Sequence, residues 1–194
     1  MDKYDNLLLL FWENFVSKKI TKDHDKKYIE SYLIPTQLPK IKILPEDHPV
    51  ADTYAGFLES DSVGEWITLK TKNENIHICQ QKPIFIGLRI HSKGETLGDD
   101  LILPTFLHEL AHVLTPLIRR KVDKEWINDY HGKEFYKNYA KILKWAEEKR
   151  FYKLTYQRPK YAKFSYHNLL HFDKIYLIGH KISTGIVLEN WHLI

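Results

Sequence analysis

Apolar and aromatic side chains return every third or fourth position between Asp2 and Leu33, at Leu7, Leu10, Phe11, Phe15, Tyr28 and Tyr32, with lysines filling the gaps. This spacing gathers them on one helical face, and an interruption around Thr21 to His24 predicts two helices within an N-terminal region, residues 1–35. Pro35 and Pro39 close that region, because proline lacks an amide donor and pushes its predecessor toward extended backbone. The period then changes. Alternating apolar and polar positions predict strands at 40–44, 53–58, 65–70, 76–80 and 84–90, the last being Ile84-Phe85-Ile86-Gly87-Leu88-Arg89-Ile90. Residues 91–100, with two glycines and two aspartates, read as a surface loop ending in a helix cap.

The next segment, 101–114, is apolar on nearly every side: Leu103, Leu107, Leu110, Ala111 and Leu114 share one face, and Phe106 and Val113 occupy another. A helix of this kind belongs in the middle of a domain. Pro104 fits its first turn, and Pro116 ends or kinks it. A second long helix is predicted over 132–149, with Phe135, Tyr139, Ile142, Leu143 and Ala146 at core spacing, and two more strands at 174–178 and 185–188. No repeat, low-complexity tract or linker divides the chain. The reading is one α+β domain over 1–194: helices in 1–35, a core of small twisted mixed sheet and two long helices in 36–150, and a basic, aromatic strand region in 151–194.

Composition narrows the class. The chain has 194 residues, 43% of them hydrophobic and 28% charged, which is the make-up of a soluble globular protein. Such a length forms a core without covalent staples. Cys79 is the single cysteine, which rules out an intramolecular disulfide, a zinc ribbon and a four-thiolate cluster. The leucine-rich run Leu7 to Trp12 is short and follows Asp2 and Asp5, unlike a secretion signal. Nor does any segment approach the roughly 18 to 20 apolar residues of a membrane span. An intracellular protein is expected, cytoplasmic or nuclear, or packaged in a virion. The net charge of +4 is uneven, since residues 141–181 carry ten Lys or Arg against three Asp or Glu.

Within the apolar helix stands His108-Glu109-Leu110-Ala111-His112, the pattern H-E-x-x-H. Residues four apart on a helix are about 40° apart around the axis and about 6 Å along it, so the two imidazoles can hold one ion. Catalytic zinc usually takes three protein ligands and leaves a fourth position for water. Glu109 lies beside that position as a general base. With 11 histidines among 194 residues, chance supplies H-E-x-x-H in roughly one such chain in twenty-five, so a third ligand decides the matter. His131 is the best candidate, heading His131-Gly132-Lys133-Glu134-Phe135 at the start of the second long helix. Glu134 is the competing third ligand.

H-E-x-x-H at 108–112, followed by His131-Gly132 and Phe135, resembles the SprT-like (Spartan) and WLM group of zincin metalloproteases over about residues 99–150. The resemblance implies a zincin-like fold, one zinc ion per chain held by His108, His112 and His131, and Glu109 as general base. It further implies cleavage of protein or peptide substrates, in several members proteins crosslinked to DNA. The spacer 113–130, which holds Arg119-Arg120-Lys121, is longer than usual for that group. The cysteine-based zinc segment that follows many SprT-like domains has no counterpart here. A metzincin would place glycine at 115 and histidine at 118 above a methionine turn, whereas this chain has Thr115, Ile118 and no methionine beyond Met1.

Other signals are weaker. His167-Asn168-Leu169-Leu170-His171 repeats the histidine spacing with asparagine in place of the acid. His167, Tyr166 and Tyr156 are candidate donors to a tetrahedral oxyanion. Residues 150–166 interleave Arg and Lys with Phe and Tyr, a mixture suited to DNA or other nucleic acid. The expected activity is zinc-dependent peptide hydrolysis, with 76–80 or 84–90 pairing an extended substrate. The alternative is a nucleic-acid-binding or virion structural protein whose zinc only braces two helices.

Overall fold

The structure, a computed structural model, describes residues 2–17, 34–48, 56–70, 75–92 and 94–152. Several expectations lie outside them: the second N-terminal helix, the strands at 174–178 and 185–188, nearly all of the basic aromatic segment, and Tyr156, Tyr166, His167 and His171.

Helix α1 (Asp2–Trp12) forms where the helical spacing begins and widens into a π-helical turn, Glu13–Ser17. Its buried stripe is Tyr4, Leu7, Leu8 and Phe11, the i, i+3, i+4, i+7 set, continued by Val16. Leu10, expected inside, is 50% exposed because it lies off that stripe. Phe11 and Phe15 meet the Trp145 ring edge-on, with centroids 6.3 and 5.5 Å away.

The sheet begins with β1 (Lys40–Ile43) and is built on two long strands, β2 (Gly56–Lys70) and β3 (Asn75–Leu88). Sequence alternation divided these two into four, because Asp61-Ser62, Gln80-Gln81 and Pro83 interrupt the pattern. Bulges carry the strands through. One falls between Glu59 and Ser60, where Ser60 pairs Pro83 and Glu59 pairs Phe85, so Ile84 is the extra residue. A proline costs a strand least at such a break in the ladder.

β3 is the central strand, antiparallel to β2 along one edge. Its other edge takes β1 in parallel at residues 85–88 and β6 (Leu117–Val122) antiparallel at 76–79. Between them runs the chain at 34–37, where the Thr36 N–H donates to Gln81 O (3.1 Å) and Gln37 Nε2 to Pro83 O (2.6 Å). Both edges of β3 are therefore filled at 76–79 and 85–88, and the expectation that 76–80 or 84–90 pairs with a substrate is overturned.

Two hairpins lie where loop or spacer was expected. β4 (His91–Ser92) and β5 (Glu95–Thr96) form a small one that turns at Gly94. β6 returns as β7 (Glu125–Asn128) through Asp123 and Lys124, both with positive φ, in a turn without glycine to announce it.

Helix α2 (Asp99–Val113) starts two residues before its expected position, since Gly98 serves as N-cap. Pro104 is therefore interior rather than in the first turn, and the Asp100 carbonyl loses its i+4 donor. Helix α3 (Lys133–Glu148) agrees with the expected boundaries to within one residue. Every residue predicted for the buried faces of these two helices is buried, and they share one core with α1, Ile86 and Leu88. The result is a mixed α+β fold with a mixed five-stranded sheet. No described helix is long and apolar enough to cross a membrane.

Candidate metal centre

His108 and His112 lie one turn apart on α2, and His131 stands in the loop between β7 and α3. Their Nε2 atoms form an equilateral triangle, with each of the three separations 3.2 Å. Three nitrogens at the base of a tetrahedron, each about 2.0–2.1 Å from one ion, would stand about 3.3 Å apart, so the triangle fits tetrahedral coordination with one vertex open. Three acceptor lone pairs turned on a common point also make poor partners for each other without a cation. Among the described residues this is the one cluster of three or more His, Cys, Asp or Glu placed to hold a metal.

The neighbouring side chains fix the rings. Phe135, fully buried one turn into α3, packs against all three imidazoles, with centroids 4.8, 4.4 and 4.7 Å from His108, His112 and His131. The phenylalanine of the H-G-x-x-F string is thus a wall of the site. Burial, assisted by His131, pushes His112 down to about 3, so its imidazole is neutral and suited to a metal at ordinary pH.

Glu109 is buried, and its carboxylate accepts the Leu58 backbone N–H from β2. β2 can come this close because Gly56, two residues earlier, has no side chain: a Cβ there would meet Thr105 Cγ2 of α2 at 2.7 Å. Thr105 and Glu109 are one turn apart, so β2 runs beside this helical face. Burial pushes the Glu109 carboxyl up to about 8, and the Leu58 N–H opposes the shift.

Glu134, the competing third ligand, does not serve as one. Its carboxylate pairs with Arg120 Nη2 at 2.7 Å, and His131 completes the triangle in its place. Arg120 also binds Asp129 through Nε.

Residues that support the site escaped the sequence reading. Gln81 of β3 is buried and donates from Nε2 to the His112 carbonyl oxygen at 2.8 Å, at the C-terminal end of α2. Asn138 of α3 donates to the Leu114 carbonyl at 3.0 Å and to Thr115 Oγ1 at 3.1 Å. No local pattern marks such residues. Only the conspicuous charge of Arg119-Arg120-Lys121 was available, and charge does not name a partner.

No protein-family model matches this chain, and no curated protein or solved structure matches it either.

Proposed function

We propose that this protein is a zinc-dependent metallopeptidase in which His108, His112 and His131 hold the ion and Glu109 is the general base. The observation that carries the reading is the 3.2 Å Nε2 triangle combined with a buried carboxylate on the same helix, between two of its members. A purely bracing site has no use for that acid. When bound, a divalent ion there supplies Lewis acidity toward water and toward a carbonyl oxygen, and its charge favours the ionised form of Glu109 against the upward push of burial.

The chain's own residues do the rest. The neutral imidazoles present three nitrogens in a fixed frame backed by Phe135. The Glu109 carboxylate takes a proton from the water that attacks the scissile carbonyl and returns it to the departing amine nitrogen. Among the described residues β2 has only β3 as a strand partner, and on its other edge the Leu58 N–H faces Glu109. An extended peptide would add to β2 on that edge beyond Leu58, whose N–H is already taken, held by main-chain hydrogen bonds. The contact between Leu58 and Glu109 joins that edge to the general base.

The test is Glu109→Gln, which keeps the shape and removes the base. The variant is expected to retain one zinc per chain by elemental analysis while cleavage of an unfolded protein such as casein falls by at least about 100-fold. Cleavage at the native rate would exclude Glu109 as the base.

A further inference from the structure

The third ligand stands in a loop, and loops hold a side chain less firmly than helices do. His108 and His112 are fixed by the hydrogen bonding of α2, whereas His131 precedes the first turn of α3. Phe135 backs its ring, and the placement of its backbone depends on what fixes the chain on either side.

One guanidinium meets both sides. Arg120 projects from β6 and pairs through Nε with Asp129, two residues before His131, and through Nη2 with Glu134, three residues after it. The arrangement is sheltered: the Arg120, Asp129 and Glu134 side chains are 19%, 21% and 28% exposed. Ion pairs shielded to this extent are less screened than those on an open surface. The planar fork of arginine can hold two carboxylates at once, which the point charge of lysine does poorly.

Gly132 is the N-cap of α3 and contributes no side-chain cap. A Cβ at Gly132 would collide with the Asp129 carboxylate, so the glycine makes room for that carboxylate at the helix start. An acidic group is favoured there by the helix dipole. The Asp129 N–H in turn donates to the Ile118 carbonyl at 2.8 Å, extending the β6–β7 pairing to the edge of the site. The hairpin and α3 thus meet at Arg120, and His131 is suspended between its two acidic partners.

We infer that Arg120 is a positioning residue for the metal centre, clamping Asp129 and Glu134 so that His131 completes the nitrogen triangle. The inference rests on the metal-binding part of the proposed function and requires no peptide hydrolysis. Replacing Arg120 would free the loop and leave two unpaired carboxylates at the head of α3. His108 and His112 would stay in place.

The experiment measures metal affinity and coordination in the full chain. Zn2+ is titrated against a chromophoric chelator, and Co2+ is bound in parallel, its visible absorption being intense in tetrahedral and weak in octahedral surroundings. Arg120→Gln is expected to weaken Zn2+ binding about 10- to 100-fold and to lower the Co2+ absorption, with far-ultraviolet circular dichroism unchanged. Arg120→Lys is expected to recover part of the affinity. Should Arg120→Gln fail to fold, Glu134→Gln removes one arm of the clamp and is expected to give a smaller loss. Native Zn2+ affinity and an unchanged Co2+ spectrum in Arg120→Gln, or in Glu134→Gln where that variant stands in, would overturn the clamp. Absence of Zn2+ binding by the unaltered chain would overturn the metal reading itself.

Discussion

The buried side-chain amide of Gln81 donates to the carbonyl oxygen of His112, joining the central strand to the last turn of the helix that carries two of the three imidazoles. The contact gives a second donor to a carbonyl in the last turn of the helix, which also accepts the Thr115 N–H at 3.0 Å. Gln81 is itself held, since Ser60 Oγ on β2 donates to its Oε1 at 3.2 Å. Gln81→Leu fills similar volume and leaves the His112 carbonyl without this donor. Because the Thr115 N–H still satisfies that carbonyl, a loss of about 0.5–1.5 kcal/mol in stability is expected, read as a lower urea midpoint. An unchanged midpoint would mean that another donor replaces the amide.

Phe135 touches all three ligands and is completely buried. Phe135→Ala is expected to cost about 3–5 kcal/mol through the cavity it leaves, and to reduce zinc affinity because the rings lose their common wall. Phe135→Leu should cost less on both counts. Chemical denaturation in the presence of a chelator separates the packing effect from the metal effect, and equal losses for Ala and Leu would contradict a packing role.

If the triangle is a metal site, the purified chain should hold about one zinc and become more stable with it. Binding at 100 times the dissociation constant is worth about 2.7 kcal/mol. His131→Ala should abolish that stabilisation and leave the metal-free protein folded, since His131 lies in a loop at the surface end of the core. Thermal melts with and without Zn2+ or a chelator measure both. Zinc-dependent stabilisation that survives in His131→Ala would remove this residue from the ligand set.

How much of this could be read from the residues follows from the range of the interactions. α2 and α3 were legible because their core residues repeat at a period that only a helix satisfies, and His108, Glu109 and His112 share a turn. His131 was legible through its string with Gly132 and Phe135, and each of those neighbours has a structural reason: Gly132 makes room for Asp129, and Phe135 backs the rings. The sheet was less legible. Whether 53–58 and 65–70 form one strand depends on a β3 able to accept bulges, and whether 117–128 forms a hairpin depends on β3 offering an edge. The same holds for Gln81, Arg120 and Leu58, whose partners are brought near only by the completed fold.

The start of α2 is joined to α1 by a set of titratable groups that makes stability depend on pH. Asp99 accepts from Lys3 Nζ at 2.5 Å and from Tyr4 OH at 2.9 Å, and these hydrogen bonds hold its carboxyl below the usual carboxylate range. A lowered folded value means that the contribution is present above the unfolded carboxylate pKa, about 3.9, and is lost as pH falls toward the folded value. Tyr4 behaves oppositely. Burial and then Asp99 push its phenol up, so its contribution holds below the unfolded value near 10 and is lost as pH rises beyond it. Urea midpoints at pH 3, 6 and 11 should therefore be highest at pH 6. Asp99→Asn should flatten the acid side more than the alkaline side, and identical profiles for the two proteins would remove Asp99 from the account.

The β6–β7 turn offers the opposite kind of change, one that strengthens the fold away from the metal. Asp123 and Lys124 have φ of 49° and 86°, the left-handed region that a two-residue hairpin turn of this hand requires. Aspartate tolerates it comparatively well; lysine does so at a cost of roughly 1–2 kcal/mol. Glycine removes that cost but gives back part of the gain, about 0.4–1 kcal/mol, through the greater freedom of the unfolded chain. Lys124→Gly should thus raise stability by a net of about 0.5–1 kcal/mol, seen as a higher urea midpoint with an unchanged slope. Because the turn lies at the far end of the hairpin from Asp129, zinc affinity should not change. A lower midpoint would show that the Lys124 side chain contributes more than its backbone strain costs.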